Sequence, residues 1–129
     1  MSFFKNIFGQ DDSSSEKKSS VLWNNLTELE QLDEIVTLSE AYTCVIFKHS
    51  TRCIVSRTAL KQFEMQFVAN EKIKLFFLDL LEYRPISNII AEKFSIEHQS
   101  PQIIVIKGGK VVYSASHSDI DATILERFV

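Results

Sequence analysis

Thr43-Cys-Val-Ile-Phe-Lys-His-Ser-Thr-Arg-Cys-Ile-Val-Ser56 is the stretch that decides how this chain folds. Its first half, Thr43 to Phe47, is a continuous apolar run with β-branched residues, the pattern of a strand buried on both faces. The polar segment Lys48 to Arg52 reads as a loop. Cys53 then opens a helix whose apolar positions are Val55, Ala59, Leu60, Phe63 and Phe67. A thiol at a helix mouth faces unpaired backbone N–H groups that favour an anion. Arg52 is adjacent, and Lys48 and His49 lie just upstream. These cationic neighbours are expected to favour thiolate over thiol, and the thiolate is the nucleophile.

One helical turn on, Ser56 stands where a second cysteine would resolve a mixed disulfide. Its hydroxyl is expected to donate to the neighbouring sulfur, so Arg52, Ser56 and His49 are the candidate thiolate-stabilising residues and Cys53 the catalytic one. Cys44, inside the buried run, reads as an inert core residue. The extended strand between the two cysteines argues against a disulfide joining them.

Working outward, Val21 to Trp23 is a short possible edge strand. Thr27 and Glu30 fit a capping box for a helix burying Leu29, Leu32, Ile35 and Val36. Ile73 to Leu78 is a second buried strand ending at Asp79, and Pro85 suits the first turn of a helix burying Ile86, Ile89, Ile90 and Phe94. Gln102–Ile106 and Lys110–Tyr113 flank Gly108-Gly109, a strong hairpin signal. Ser118 or Asp119 is expected to cap a last helix carrying Ile120, Ile124, Leu125 and Phe128. The order (β)αβαβαββα implies an α/β fold with a mixed central sheet and helices on both faces.

The 129 residues suit one domain, given a typical domain of about 150. With 45% apolar residues, ten Phe and 24% charged residues, the chain can build an ordinary core. No run approaches the ~20 apolar residues that span a bilayer. A net charge of −3 gives no electrostatic footprint for nucleic acid. Residues 1–20 read as a flexible N-terminal segment, with Phe3, Phe4, Ile7 and Phe8 on a helical stripe, followed by a polar linker from Asp11 to Ser20. The folded domain is expected over 21–129, and a cytoplasmic location is the default.

Ser100-Pro101 opens the third buried run, where a missing N–H is tolerated. His98 reads as a solvated loop residue. Neither it nor His117 forms a metal-ligand set with Cys53, so no metal site is expected.

A helix-mouth Cys after a buried strand, Asp79 closing the next strand, a Ser-Pro before the third and a Gly-Gly hairpin together resemble the thioredoxin fold over residues 21–129. More narrowly, Phe47-Lys-His-Ser-Thr-Arg-Cys53 followed by Ile-Val-Ser56 is similar to the YtxJ family, the monothiol bacilliredoxins. The resemblance implies a monothiol thiol–disulfide oxidoreductase. Cys53 would take a low-molecular-weight thiol, bacillithiol or a similar one, from protein mixed disulfides; a second small thiol or a reductant protein would free it. That thiol is a co-substrate, with no tightly bound cofactor, and thiolated proteins are the implied partners. By the same resemblance Ser100 and Pro101 pair with the substrate, and His117, Ser118 and Asp119 border the pocket for the small thiol. The thioredoxin dithiol with its flanking Trp is absent, Phe47 falls where thioredoxins bury an acid, and Ile54 replaces the Pro of many relatives. General disulfide reduction is therefore not expected. Two competing readings are an iron–sulfur carrier module, holding a cluster between two chains through Cys53 and a bound thiol, and a thioredoxin-like interaction domain with an unreactive Cys53.

Overall fold

The computed structural model describes residues 21–129; the readings made for residues 1–20 lie outside it. In chain order the elements are β1 (Trp23–Asn25), α1 (Glu30–Leu38), β2 (Thr43–His49), α2 (Ile54–Gln66), β3 (Ile73–Asp79), α3 (Arg84–Lys93), β4 (Gln102–Lys107) and β5 (Lys110–Ser116). A 3-10 turn at His117–Asp119 and a 3-10 helix at Ala122–Phe128 follow. Among the described residues the five strands form one sheet in the order β1-β3-β2-β4-β5. The pairs β1–β3 and β2–β3 are parallel, while β2–β4 and β4–β5 are antiparallel. This is the mixed sheet that the alternation of strands and helices predicted.

Strand β2 is central, and all seven of its residues are buried. Its alternation divides the core. Cys44 and Ile46 face α1 and α3, packing with Leu32, Ile35, Ile86 and Ile90. Val45 and Phe47 face α2 and the C-terminal 3-10 helix, packing with Ala59, Phe63 and Leu125. Each large side chain buried here contributes roughly 1.5–3 kcal/mol. Phe47, Phe63 and Trp23 also meet as aromatic neighbours with centroids 5.5–5.9 Å apart.

Several local expectations change. The capping box at Thr27 and Glu30 is absent; Gln31 Oε1 instead accepts the amides of Thr27 (2.8 Å) and Glu28 (2.9 Å), and its amide donates to Asn25 O. Leu29 therefore stays exposed, as does Val55 on α2. The edge strand starts at Trp23, two residues later than the reading began. The last helix is 3-10, capped by Asp121 rather than Ser118 or Asp119: the Asp121 carboxylate accepts from the Thr123 amide at 2.9 Å. Those hydrogen bonds to Thr123 hold the Asp121 carboxyl below its ordinary value. Gly108 and Gly109, with φ of 64° and 80°, form the hairpin turn that needs positive φ at both central positions.

Candidate active site

The strand does not stop at Phe47. It carries Lys48 and His49 into the buried sheet, where they are 0% and 5% exposed. The loop is thus only Ser50 to Arg52, and Cys53 is the N-cap residue of α2, in extended backbone conformation (φ −103°, ψ 122°). Its carbonyl accepts the Arg57 amide at 3.0 Å and its own amide donates to Ser50 O at 3.2 Å. The Cys53 thiol is free and partly exposed at the end of the helix that carries the positive pole of the backbone dipole.

Beneath that loop is a small polar bracket. Ser56 is fully buried; its hydroxyl oxygen accepts the Ser50 amide at 3.0 Å and meets His49 Nδ1 at 2.8 Å. Burial pushes the His49 imidazole below its ordinary value; Asp79 opposes this, Arg57 reinforces it and Glu64 opposes it. The direction of the Ser56–His49 hydrogen bond follows the imidazole tautomer. The Ser56 hydroxyl is bonded to His49 and to the Ser50 amide, and His49 and Ser56 brace the turn that presents Cys53. Arg57 adds a bond from Nη1 to Thr51 O at 3.0 Å. Arg52 is exposed beside Cys53, without a partner among the described residues.

Lys48 takes a different direction from the one its sequence neighbourhood suggested. Its parity on β2 turns it to the α3 side, where Nζ donates to Ser87 O (3.3 Å) and meets His98 Nδ1 (3.1 Å). Its hydrogen-bond partners are these two residues and not Cys53. His98, read from sequence as a solvated loop residue, is half of that contact.

The substrate-side candidates gather at the same end of the sheet. Lys48 pairs in register with Gln102 on β4, which brings Ser100-Pro101 to the end of β2. The Ser100–Pro101 bond is cis, and Pro101 O accepts the His117 amide at 3.0 Å. The turn of His117, Ser118 and Asp119 is exposed and packs against α2. Asp119 also borders an open groove of about 550 Å³, lined by Glu97, Gln99, Gln102 and Ser114 among others, between the segment before β4 and strand β5. Cys53 is not in its lining, and a second cavity of about 100 Å³ lies away from it under Phe67 and Leu125.

Cys44 cannot share the chemistry. It is fully buried, and burial pushes its thiol up to about 11, against a smaller opposing effect of Lys74. The five residue steps of extended β2 from Cys44 to His49 span roughly 16 Å, far beyond the reach of a disulfide. Both cysteines are free. Among the described residues no three or more His, Cys, Asp or Glu side chains are grouped as a metal site would need, and no helix is long and apolar enough to cross a membrane.

A mixed sheet with a partly exposed thiol at the first turn of α2 and an X-Pro bond entering the adjacent antiparallel strand defines a thiol oxidoreductase of the thioredoxin fold. Solved structures agree. An oxidoreductase assignment with a thioredoxin fold describes one that matches at 27% identity with a TM-score of 0.69, over 81% of this chain and 91% of that one. Thioredoxins of Malassezia sympodialis (17% identity, TM-score 0.61, covering 91% and 94%) and Schistosoma mansoni (17%, 0.62, covering 83% and 95%) share the fold. Residues 24–125 match the family model of the monothiol bacilliredoxin BrxC, and the chain belongs to that family.

Proposed function

We propose that the protein removes a low-molecular-weight thiol, bacillithiol by its family, from protein mixed disulfides through Cys53. The observation that carries this reading is the asymmetry of its sulfurs: of the two cysteines, Cys53 is accessible at the α2 mouth and Cys44 is fully buried. In the first step the Cys53 thiolate attacks the small-thiol sulfur of the mixed disulfide. The Cys53–small-thiol disulfide forms, the protein–small-thiol disulfide breaks, and the protein sulfur leaves as a thiolate that takes a proton from water. A second small thiolate, or the thiol of a reductant protein, then attacks the disulfide on Cys53 and restores its thiolate.

In this reading Cys53 is the catalytic residue. Arg52 is exposed beside it at the helix mouth, while His49 and Ser56 hold the turn. Backbone of Ser100 and Pro101 pairs with the extended substrate, and His117, Ser118 and Asp119 border the small thiol. The reaction belongs in the reducing cytoplasm, where Cys53 returns to the thiol between turnovers. The small thiol acts as co-substrate and no tightly bound cofactor is needed. Variant exchange assays test this: Cys53→Ser abolishes transfer from a bacillithiolated test protein, and Cys44→Ser retains it. Equal loss in both variants overturns the assignment.

A further inference from the structure

Lys48 is 0% exposed, and its hydrogen-bond partners include no carboxylate. Its ammonium instead holds an imidazole on a loop. His98 lies on the segment 95–101, which leaves α3 and leads into β4. His98 Nδ1 stands 3.1 Å from Lys48 Nζ and 3.5 Å from Ser87 Oγ. An ammonium has only donors, so Nδ1 is the acceptor and the ring carries its proton on Nε2. The surroundings agree with a neutral ring: burial, Lys48 on β2 and Arg84 on α3 all push His98 down from its ordinary value.

The same segment is tied elsewhere. The Gln99 amide donates to Gln102 Oε1 at 3.3 Å, Gln102 Nε2 donates to Glu97 O at 3.0 Å, and Pro101 O accepts the His117 amide. Gln102 lies opposite Lys48 in the β2–β4 register, so the tethers converge on one point of the sheet. Glu97 and Gln99 form one wall of the open groove that reaches Asp119. The position of this segment therefore sets the width of that groove.

We propose that Lys48 and His98 are positioning residues that latch the segment 97–101 to the end of β2, fixing the surface on which an extended polypeptide carrying the mixed disulfide docks beside Cys53. The proposal rests on Cys53 as the nucleophile, and it adds a protein-substrate specificity element on the opposite face of the sheet from α2. Small reagents that reach Cys53 directly do not need the latch; a polypeptide does.

The test uses the full chain with Lys48→Met, His98→Phe and His98→Gln, a bacillithiolated test protein and iodoacetamide. Lys48→Met and His98→Phe raise KM for the thiolated protein roughly tenfold, the effect of one lost charge-assisted hydrogen bond. The kcat and the iodoacetamide rate at Cys53 stay at wild-type levels. His98→Gln, whose amide oxygen still accepts from Lys48, keeps the wild-type KM. As the pH falls and His98 is protonated, the wild-type KM rises, and that of His98→Gln stays flat. Amide hydrogen exchange reads the latch independently of activity: residues 96–102 lose protection in Lys48→Met and His98→Phe while β2 and α2 keep theirs. Unchanged KM and unchanged protection in both variants overturn the latch, as does a His98→Gln defect equal to that of His98→Phe. Wild-type protein without exchange activity overturns the Cys53 reading instead, and the protection of residues 96–102 then decides the latch by itself.

Discussion

His49 Nδ1 and Ser56 Oγ meet at 2.8 Å beneath the turn that carries Cys53, joining the end of β2 to the first turn of α2. The position one turn after the nucleophile is thus occupied by a fully buried hydroxyl that holds the loop rather than by a second thiol. Replacing it by sulfur changes the outcome of the reaction. Ser56→Cys supplies a resolving thiol, so the small thiol transferred to Cys53 is expelled and an internal disulfide forms. Intact mass after exposure to a bacillithiolated protein is expected to show loss of two hydrogens in this variant in place of an adduct.

Removal of that hydroxyl has a separate cost. Ser56→Ala strips the Ser50 amide and His49 Nδ1 of their shared partner, and destabilisation of about 1–3 kcal/mol is expected from the buried groups left unpaired. Urea unfolding at neutral pH measures it.

The Cys44 thiol, pushed up to about 11 by burial, is expected to stay unalkylated in the folded protein at pH 8. Iodoacetamide then adds one group, mapped to Cys53, and two after denaturation. Two additions to the folded chain contradict the burial described.

Acid dependence follows from two imidazoles. His49 and His98 both have folded values below 6.5, so the unfolded chain binds protons that the folded one does not. Their contribution is fully present above pH 6.5 and is lost as the pH falls through 6.5 toward the folded values. Unfolding free energy is expected to decline over that range, less steeply in His98→Gln, with chemical denaturation at several pH values as the measurement.

Lys48 gives the opposite limb. Burial pushes its ammonium from 10.5 to about 8, so between about pH 8 and 10.5 the folded amine is neutral while the unfolded one remains charged. Stability is expected to rise between about pH 8 and 9 in the wild type and to stay flat there in Lys48→Met; above pH 9 the buried Cys44 thiol, pushed up from 9.0 to about 11, works in the opposite direction.

What the sequence made legible has a physical pattern. The continuous apolar run of Thr43–Phe47, the Gly108-Gly109 turn and the apolar periodicity of α3 are strong local signals, and the sheet, hairpin and helix layers appear where they imply. Cys53 at the α2 mouth was visible for the same reason. Lys48 and His49 were not recognisable as strand residues, because charge ended the apolar pattern while the backbone ladder continued through His49↔Asp79. The partnership of Lys48 with His98 joins residues 50 positions apart, and no local pattern announces it. Capping failed similarly: Gln31, Asp121 and their loop amides compete with the Thr27, Ser118 and Asp119 side chains, and only the folded loops choose between them.

Intact mass spectrometry of the purified protein after incubation with a bacillithiolated test protein addresses the central claim most directly. The account predicts one bacillithiol adduct per chain, located on Cys53, retained in Cys44→Ser and absent in Cys53→Ser. An unmodified mass in the wild type, or an adduct that persists in Cys53→Ser, would contradict it.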